Sequence, residues 1–146
     1  MALEKRGRYF CGDTSEDLQQ EMTRFSRLNE YVCDHFVNVV CTCGSSLFRL
    51  YIDEDEGAAV RVCSNCKLEH PIGDSDDYLD EAELKKCICV CDHEYFEISV
   101  GVSLYSGSDD VKWIYIGCRC PKCRVLGVYG NWKCEYIGYR ELLSRV

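Results

Sequence analysis

Four close cysteine pairs hold the chemistry available to this chain: Cys41-Thr42-Cys43, Cys63-Ser64-Asn65-Cys66, Cys89-Val90-Cys91 and Cys120-Pro121-Lys122-Cys123. A short turn that presents two thiolates is half of a tetrahedral metal site, and a second turn closes it. Comparison of the chain with itself shows which halves belong together. Cys41 to Leu50 aligns without gaps on Cys89 to Ile98 at an offset of 48, with both cysteines and Phe48/Phe96 coinciding. Cys63 to Leu68 aligns on Cys120 to Val125, and Gly73-Asp74 on Gly130-Asn131, at an offset of 57. The nine extra residues fall in the hairpin of the second copy. A duplicated unit of knuckle, β-hairpin, knuckle and closing strand is the plan of a zinc ribbon. The expected ligands are therefore Cys41, Cys43, Cys63 and Cys66 for one Zn2+, and Cys89, Cys91, Cys120 and Cys123 for another, both structural. Gly44 after the first CxC suits a tight turn, whereas Asp92 stands in its place in the second copy.

Thirteen cysteines in 146 residues exceed what these sites use, leaving Cys11, Cys33, Cys87, Cys118 and Cys134. Such residues serve as small buried hydrophobes, although Cys87 and Cys118 lie close enough to the knuckles to substitute as ligands. An odd number of thiols in close pairs points to metal rather than disulfides, as in a reducing compartment. The N-terminal residues carry charge where a secretory signal has an apolar run, and no stretch approaches the roughly 20 apolar residues of a membrane span. The expectation is a cytoplasmic protein with no membrane partner.

The elements needed to position these turns follow from apolar spacing. Thr14 and Asp17 stand in capping-box spacing ahead of Leu18, Met22, Phe25, Leu28 and Val32, one apolar stripe of a helix. Strands are expected at Phe36 to Val40, Leu47 to Ile52 and Ala58 to Val62, with Asp53 to Gly57 as a hairpin turn. An acidic connector, Asp74 to Lys86, is expected to hold a short helix near Tyr78 to Lys85. Phe96, Ile98, Val100, Val102 and Leu104 alternate as one face of a long strand. Strands at Val111 to Ile116 and Val125 to Ile137 and a helix near Tyr139 to Val146 complete the chain. The fold class expected is a small, β-rich α+β protein: an N-terminal helical segment (1–35), a first zinc ribbon with the acidic connector (36–86) and a second, longer ribbon with a C-terminal helix (87–146).

Function is bounded by charge. The formal net charge is -8, yet residues 1–52, 53–110 and 111–146 carry -1, -12 and +5. Two zinc tetrathiolates would add -4, because each contributes four thiolates and one dication. Acidic runs, Asp53, Glu54, Asp55 and Glu56 on the hairpin tip and Asp74, Asp76, Asp77 and Asp80 on the connector, suit capture of a basic protein domain, since opposite potentials speed encounter. Zinc closed by four cysteines has no position for water, phosphate loops and nucleophile elbows are absent, and His35, His70 and His93 each stand alone, so no enzyme is expected. The basic residues Arg119, Lys122, Arg124 and Lys133 among Tyr129, Trp132, Tyr136 and Tyr139 form the place where an alternative, a nucleic-acid-binding or transcription-accessory role, would reside. The -12 segment disfavours it.

With Val100 to Tyr105, Val111 to Gly117 and Gly127 to Lys133 added to the knuckles, residues 36–146 resemble small bacterial proteins built from two zinc ribbons, many of them uncharacterised. In size, acidity and lack of catalytic groups the chain is also similar, more loosely, to immunity proteins of contact-dependent and polymorphic toxin systems. That resemblance implies a non-catalytic antitoxin whose partner is a cognate cationic toxin domain.

Overall fold

The computed structural model describes residues 3–146. Two short strands, β1 (Glu4–Arg6) and β2 (Tyr9–Cys11), precede helix α1 (Ser15–Leu28). After β3 (His35–Asn38), a hairpin of β4 (Phe48–Asp53) and β5 (Ala58–Cys63) is followed by β6 (Glu69–Pro71), two 3-10 turns (Ser75–Asp77 and Leu79–Glu81) and β7 (Lys85–Lys86). The second half holds β8 (Glu97–Leu104), β9 (Val111–Arg119), β10 (Val125–Tyr136) and the short helix α2 (Tyr139–Leu143). The strands form a six-stranded sheet in the order β1-β2-β10-β9-β8-β3 and a four-stranded sheet in the order β6-β5-β4-β7. The protein is thus a small, β-rich α+β fold.

The alternation that marked β8 as a strand divides the six-stranded sheet into two packed faces. On one side Ile98, Val100 and Val102 join Ile114, Ile116, Phe48, Leu50 and Ile72 in a core shared with the four-stranded sheet. On the other, Tyr115 and Leu126 meet Leu18 and Met22 of α1. The helix can approach because Gly117 has no side chain: a Cβ there would lie 2.4 Å from Met22 Sδ. Its start is built as the sequence indicates, with Asp17 N donating to Thr14 Oγ1 (3.1 Å) and Thr14 N donating to Asp17 Oδ2 (3.3 Å).

Three expectations change. The helix stops at Leu28 rather than continuing to Val32, because Glu30 adopts a left-handed φ of 71° and the Tyr115 hydroxyl donates to Tyr31 O (2.6 Å). The segment before the helix is a hairpin, whose strand β2 adds to the sheet edge through Cys11↔Val125 and Phe10↔Leu126. In the connector, no α-helix spans Tyr78 to Lys85: Asp53 Oδ2 accepts from Glu83 N (2.8 Å), and the chain beyond is drawn out to pair with β4. No helix among the described residues is long and apolar enough to cross a membrane.

The two copies of the repeat exchange strands. β3, which leads into the first knuckle, pairs with β8 of the second copy, and β7, which leads into the second knuckle, pairs with β4 of the first. The register is the same at the offset of 48: Val37↔Val100 corresponds to Lys85↔Ile52, and Asn38↔Ser99 to Lys86↔Tyr51. Val39 N donates to Ile98 O (2.9 Å) as Cys87 N donates to Leu50 O (2.8 Å). Between the copies, equivalent residues meet: Phe48 N donates to Phe96 O (2.9 Å) and Phe96 N to Phe48 O (2.8 Å). Self-pairing of equivalent positions is the mark of a local two-fold relation.

Candidate metal centres

Each centre is built from the two ends of a hairpin. In the first, the turn Cys41 to Ser45 closes through Gly44 N→Cys41 O (2.8 Å) and Cys41 N→Ser45 O (2.9 Å), with Gly44 at φ 94°. At the far end of β5, Lys67 N donates to Cys63 O (3.1 Å) and Lys67 turns the chain with φ 66°. Phe48 pairs with Cys63 across the β4–β5 ladder, which brings the two turns side by side. The second centre repeats every bond at the offset positions: Asp92 N→Cys89 O (2.8 Å), Cys89 N→His93 O (2.9 Å) and Arg124 N→Cys120 O (2.9 Å). Asp92 (φ 73°) and Arg124 (φ 69°) take the left-handed turns.

The eight sulfurs gather into two groups as the spacing predicts, Cys41, Cys43, Cys63 and Cys66 in one and Cys89, Cys91, Cys120 and Cys123 in the other, all within 4.8 Å of one another in each. Four ligands at the Zn–S distance of about 2.3 Å stand roughly 3.8 Å apart along a tetrahedron's edges. Cys41 Sγ lies 3.6 Å from Cys66 Sγ and Cys43 Sγ lies 3.5 Å from Cys63 Sγ. The second group shows 3.4 Å (Cys89 to Cys123) and 3.6 Å (Cys91 to Cys120). The donor set fits two metal ions, and four thiolates select a soft or borderline cation. Cys87 and Cys118 belong to neither group and replace no ligand; with Cys11, Cys33 and Cys134 they are thiols apart from the clusters. At the repeat offsets the residues that stand in their places in the first copy are Val39 and Arg61.

Backbone amides aim at the sulfurs and favour thiolates. The N–H groups of Cys66 and Asn65 hold Cys63 down at about 6, and the N–H of Cys43 lowers Cys41. At the second centre burial opposes ionisation and pushes Cys89 up to about 12. Burial also opposes ionisation of Cys91, but the His93 amide and the neighbouring thiols prevail and bring it to about 7.

The acidic residues divide in two. Asp53 Oδ1 accepts from the amides of Asp55 (3.0 Å) and Glu56 (3.2 Å), shaping the hairpin tip. Its other oxygen holds the connector at Glu83, so the tip and the end of the connector are adjacent although 30 residues apart. Asp76, Asp77 and Asp80 lie on or beside the 3-10 turns, with Asp76 3.3 Å from Arg145 Nη2. Asp74 is not on this surface: it is 8% exposed and accepts from Cys134 Sγ (3.6 Å), and burial raises its carboxyl above the usual range. The histidines are individually engaged. His35 stacks on Tyr139 (3.9 Å between centroids), His70 Nε2 is 2.8 Å from Arg145 O, and His93 meets Tyr95 edge-on.

Fold and site together define a β-rich α+β protein with two tetracysteine clusters that could each hold a metal ion. No protein-family model matches the chain, and no curated protein or solved structure matches it.

Proposed function

We propose that this chain is a non-catalytic binding protein in which two zinc ribbons, each closed by one structural Zn2+, present an acidic face to a basic protein domain. The observation that carries the reading is the pair of four-sulfur groups, each gathered within 4.8 Å: a zinc ion held by four cysteines lacks an open position for substrate or water and supplies folding energy instead. The acidic face is assigned to the hairpin tip Asp53 to Glu56, tied by the Asp53 carboxylate to the connector at Glu83, together with Asp76, Asp77 and Asp80 earlier on that connector. Asp74 has no place in it.

The resemblance to immunity proteins makes a cationic toxin domain the favoured partner. The test is the gene immediately upstream and the domain it encodes. A secreted protein with a basic C-terminal domain that binds this chain supports the reading. Changing Asp53, Glu54, Asp55 and Glu56 to lysine is expected to leave both metals bound while slowing association, and raising the salt toward 1 M, where the Debye length is about 3 Å, is expected to weaken the same step. If the reversed chain associates with that domain as fast as the parent, and the reversal of Asp76, Asp77 and Asp80 does too, the acidic face is merely solvated.

A further inference from the structure

Arg61 is 5% exposed, and its Nη1 is one of two fully buried side-chain nitrogens without a hydrogen-bond partner among the described residues. The other, Arg49 Nε, has a carboxylate of Glu94 at 4.0 Å. Arg61 lies two residues before Cys63 on β5, on the same side of the strand, and its guanidinium sits 4.8 Å from the centroid of the Phe48 ring. Its Nε donates to Val146 O (2.6 Å), which fixes the plane of the fork. His70 stands opposite it on β6, and toward the cluster Cys41 lies against the guanidinium, with Cys63 and Cys66 close by.

A buried cation with an idle donor is costly unless an anion faces it. Four thiolates around one dication leave a net charge of -2, and such a centre would be an anion beside the guanidinium. The second copy provides an internal contrast. Cys118 occupies the position of Arg61, pairing with Ile98 and Gly127 as Arg61 pairs with Leu50 and His70. Cys118 is wholly buried, and a thiol in that place offers no positive charge to the second centre. The hydroxyl of Tyr129 lies against Cys89, and at the rim of that centre the exposed Arg6 guanidinium donates to Cys123 O.

Resting on the reading of the clusters as metal sites, we infer that Arg61 is a positioning residue of the first centre, its guanidinium donating to the metal-bound Cys41 thiolate and offsetting the centre's charge, and that the second centre has no buried cation at the equivalent position, where Cys118 stands. The two centres, equal in ligands, are then unequal in what holds the metal. Groups of this kind around a metal ligand are typically worth about 10- to 100-fold in metal affinity.

Cadmium-113 substituted into the full chain reports each centre as a separate resonance. In the unaltered protein a scalar coupling is expected between the cadmium of the first centre and an Arg61 guanidinium proton, across the N–H···S–Cd path. Titration with EDTA then compares the centres within one molecule. Arg61→Met is expected to weaken cadmium retention at the first centre about 10- to 100-fold while leaving the second unchanged, and Arg61→Lys to restore most of the loss because it keeps the charge. No coupling in the unaltered protein overturns the inference, whether or not Arg61→Met folds. So does equal weakening at both centres, or a failure of Arg61→Lys to recover more than Arg61→Met. Failure of the chain to take up two cadmium ions at all would instead remove the metal reading on which the inference rests.

Discussion

At the first centre Cys43 and Cys66 are exposed and Arg61 is buried behind the cluster; at the second, Cys91 and Cys123 are half-buried and a buried Cys118 takes the arginine's place. Ligand spacing, hairpin register and the amide bonds of the turns agree position by position between the two. What differs is the material around them. The second copy has the longer strands and lies between α1 and the four-stranded sheet, whereas the first is a smaller sheet covered on one face by the second. Duplication has kept the geometry a tetrahedral ion demands and allowed its surroundings to diverge, because ligand position is fixed to tenths of an ångström while charge compensation can be supplied in several ways.

The largest effects are expected from the ligands. Cys63→Ser and Cys120→Ser each remove a thiolate from a centre that, holding a structural Zn2+ as proposed, would supply on the order of 10 kcal/mol of folding free energy, so both chains are expected to lose the ion and unfold. Because one core spans both sheets, calorimetry is expected to show a single transition for the parent. Two separate transitions would mean that the units are independent and the comparison between them reduces to two isolated ribbons.

Next come Phe48 and Phe96, both fully buried and facing each other across the local two-fold. Each substitution to Ala is expected to cost about 3–5 kcal/mol by denaturant unfolding. Their double variant is expected to cost less than the sum, since the two share a contact. A cost confined to one of them would break the symmetry argument.

The turns allow a finer comparison. Gly44 and Asp92 occupy equivalent left-handed positions. Gly44→Ala is expected to destabilise by about 1 kcal/mol and Asp92→Gly to stabilise by up to about 1 kcal/mol, because only glycine takes this conformation without strain. Thermal denaturation of the two variants reads both signs at once.

The smallest effect serves as a control remote from both centres. The amide of Asp13, then the hydroxyl and amide of Thr14, hold the Asp17 carboxyl below its usual range. A carboxylate lowered on folding stabilises at and above its unfolded pKa of about 3.9 and loses that contribution as pH falls through the depressed value. Asp17→Asn is expected to cost about 1 kcal/mol at neutral pH and to flatten the loss of stability below pH 4, with both metals retained.

Much of this was present in the residues themselves. Metal spacing and duplication are visible because each knuckle is local and its offset partner is nearly identical, and Thr14 with Asp17 marks a helix start that depends on four consecutive residues. The exchange of β3 and β7 is not visible that way, since pairing across copies leaves no periodicity in either strand. The same holds for β2, whose partner β10 lies more than 100 residues on. The connector misleads because its charges suit an exposed helix, while a single side chain, Asp53, ties its end down as extended chain. The significance of Arg61 could have been found by extending the offset of 57 backwards from Cys63 and Cys120 to the two residues that precede each, Arg61 opposite Cys118.

The central claim is that two four-cysteine clusters hold two zinc ions and thereby the fold. Zinc-edge X-ray absorption on the purified chain, combined with elemental analysis, tests it most directly. The expected result is two zinc ions per chain, each with four sulfurs at about 2.3 Å. One zinc or none with the sheets intact, a nitrogen or oxygen ligand at either centre, or disulfides among the eight cysteines would contradict it.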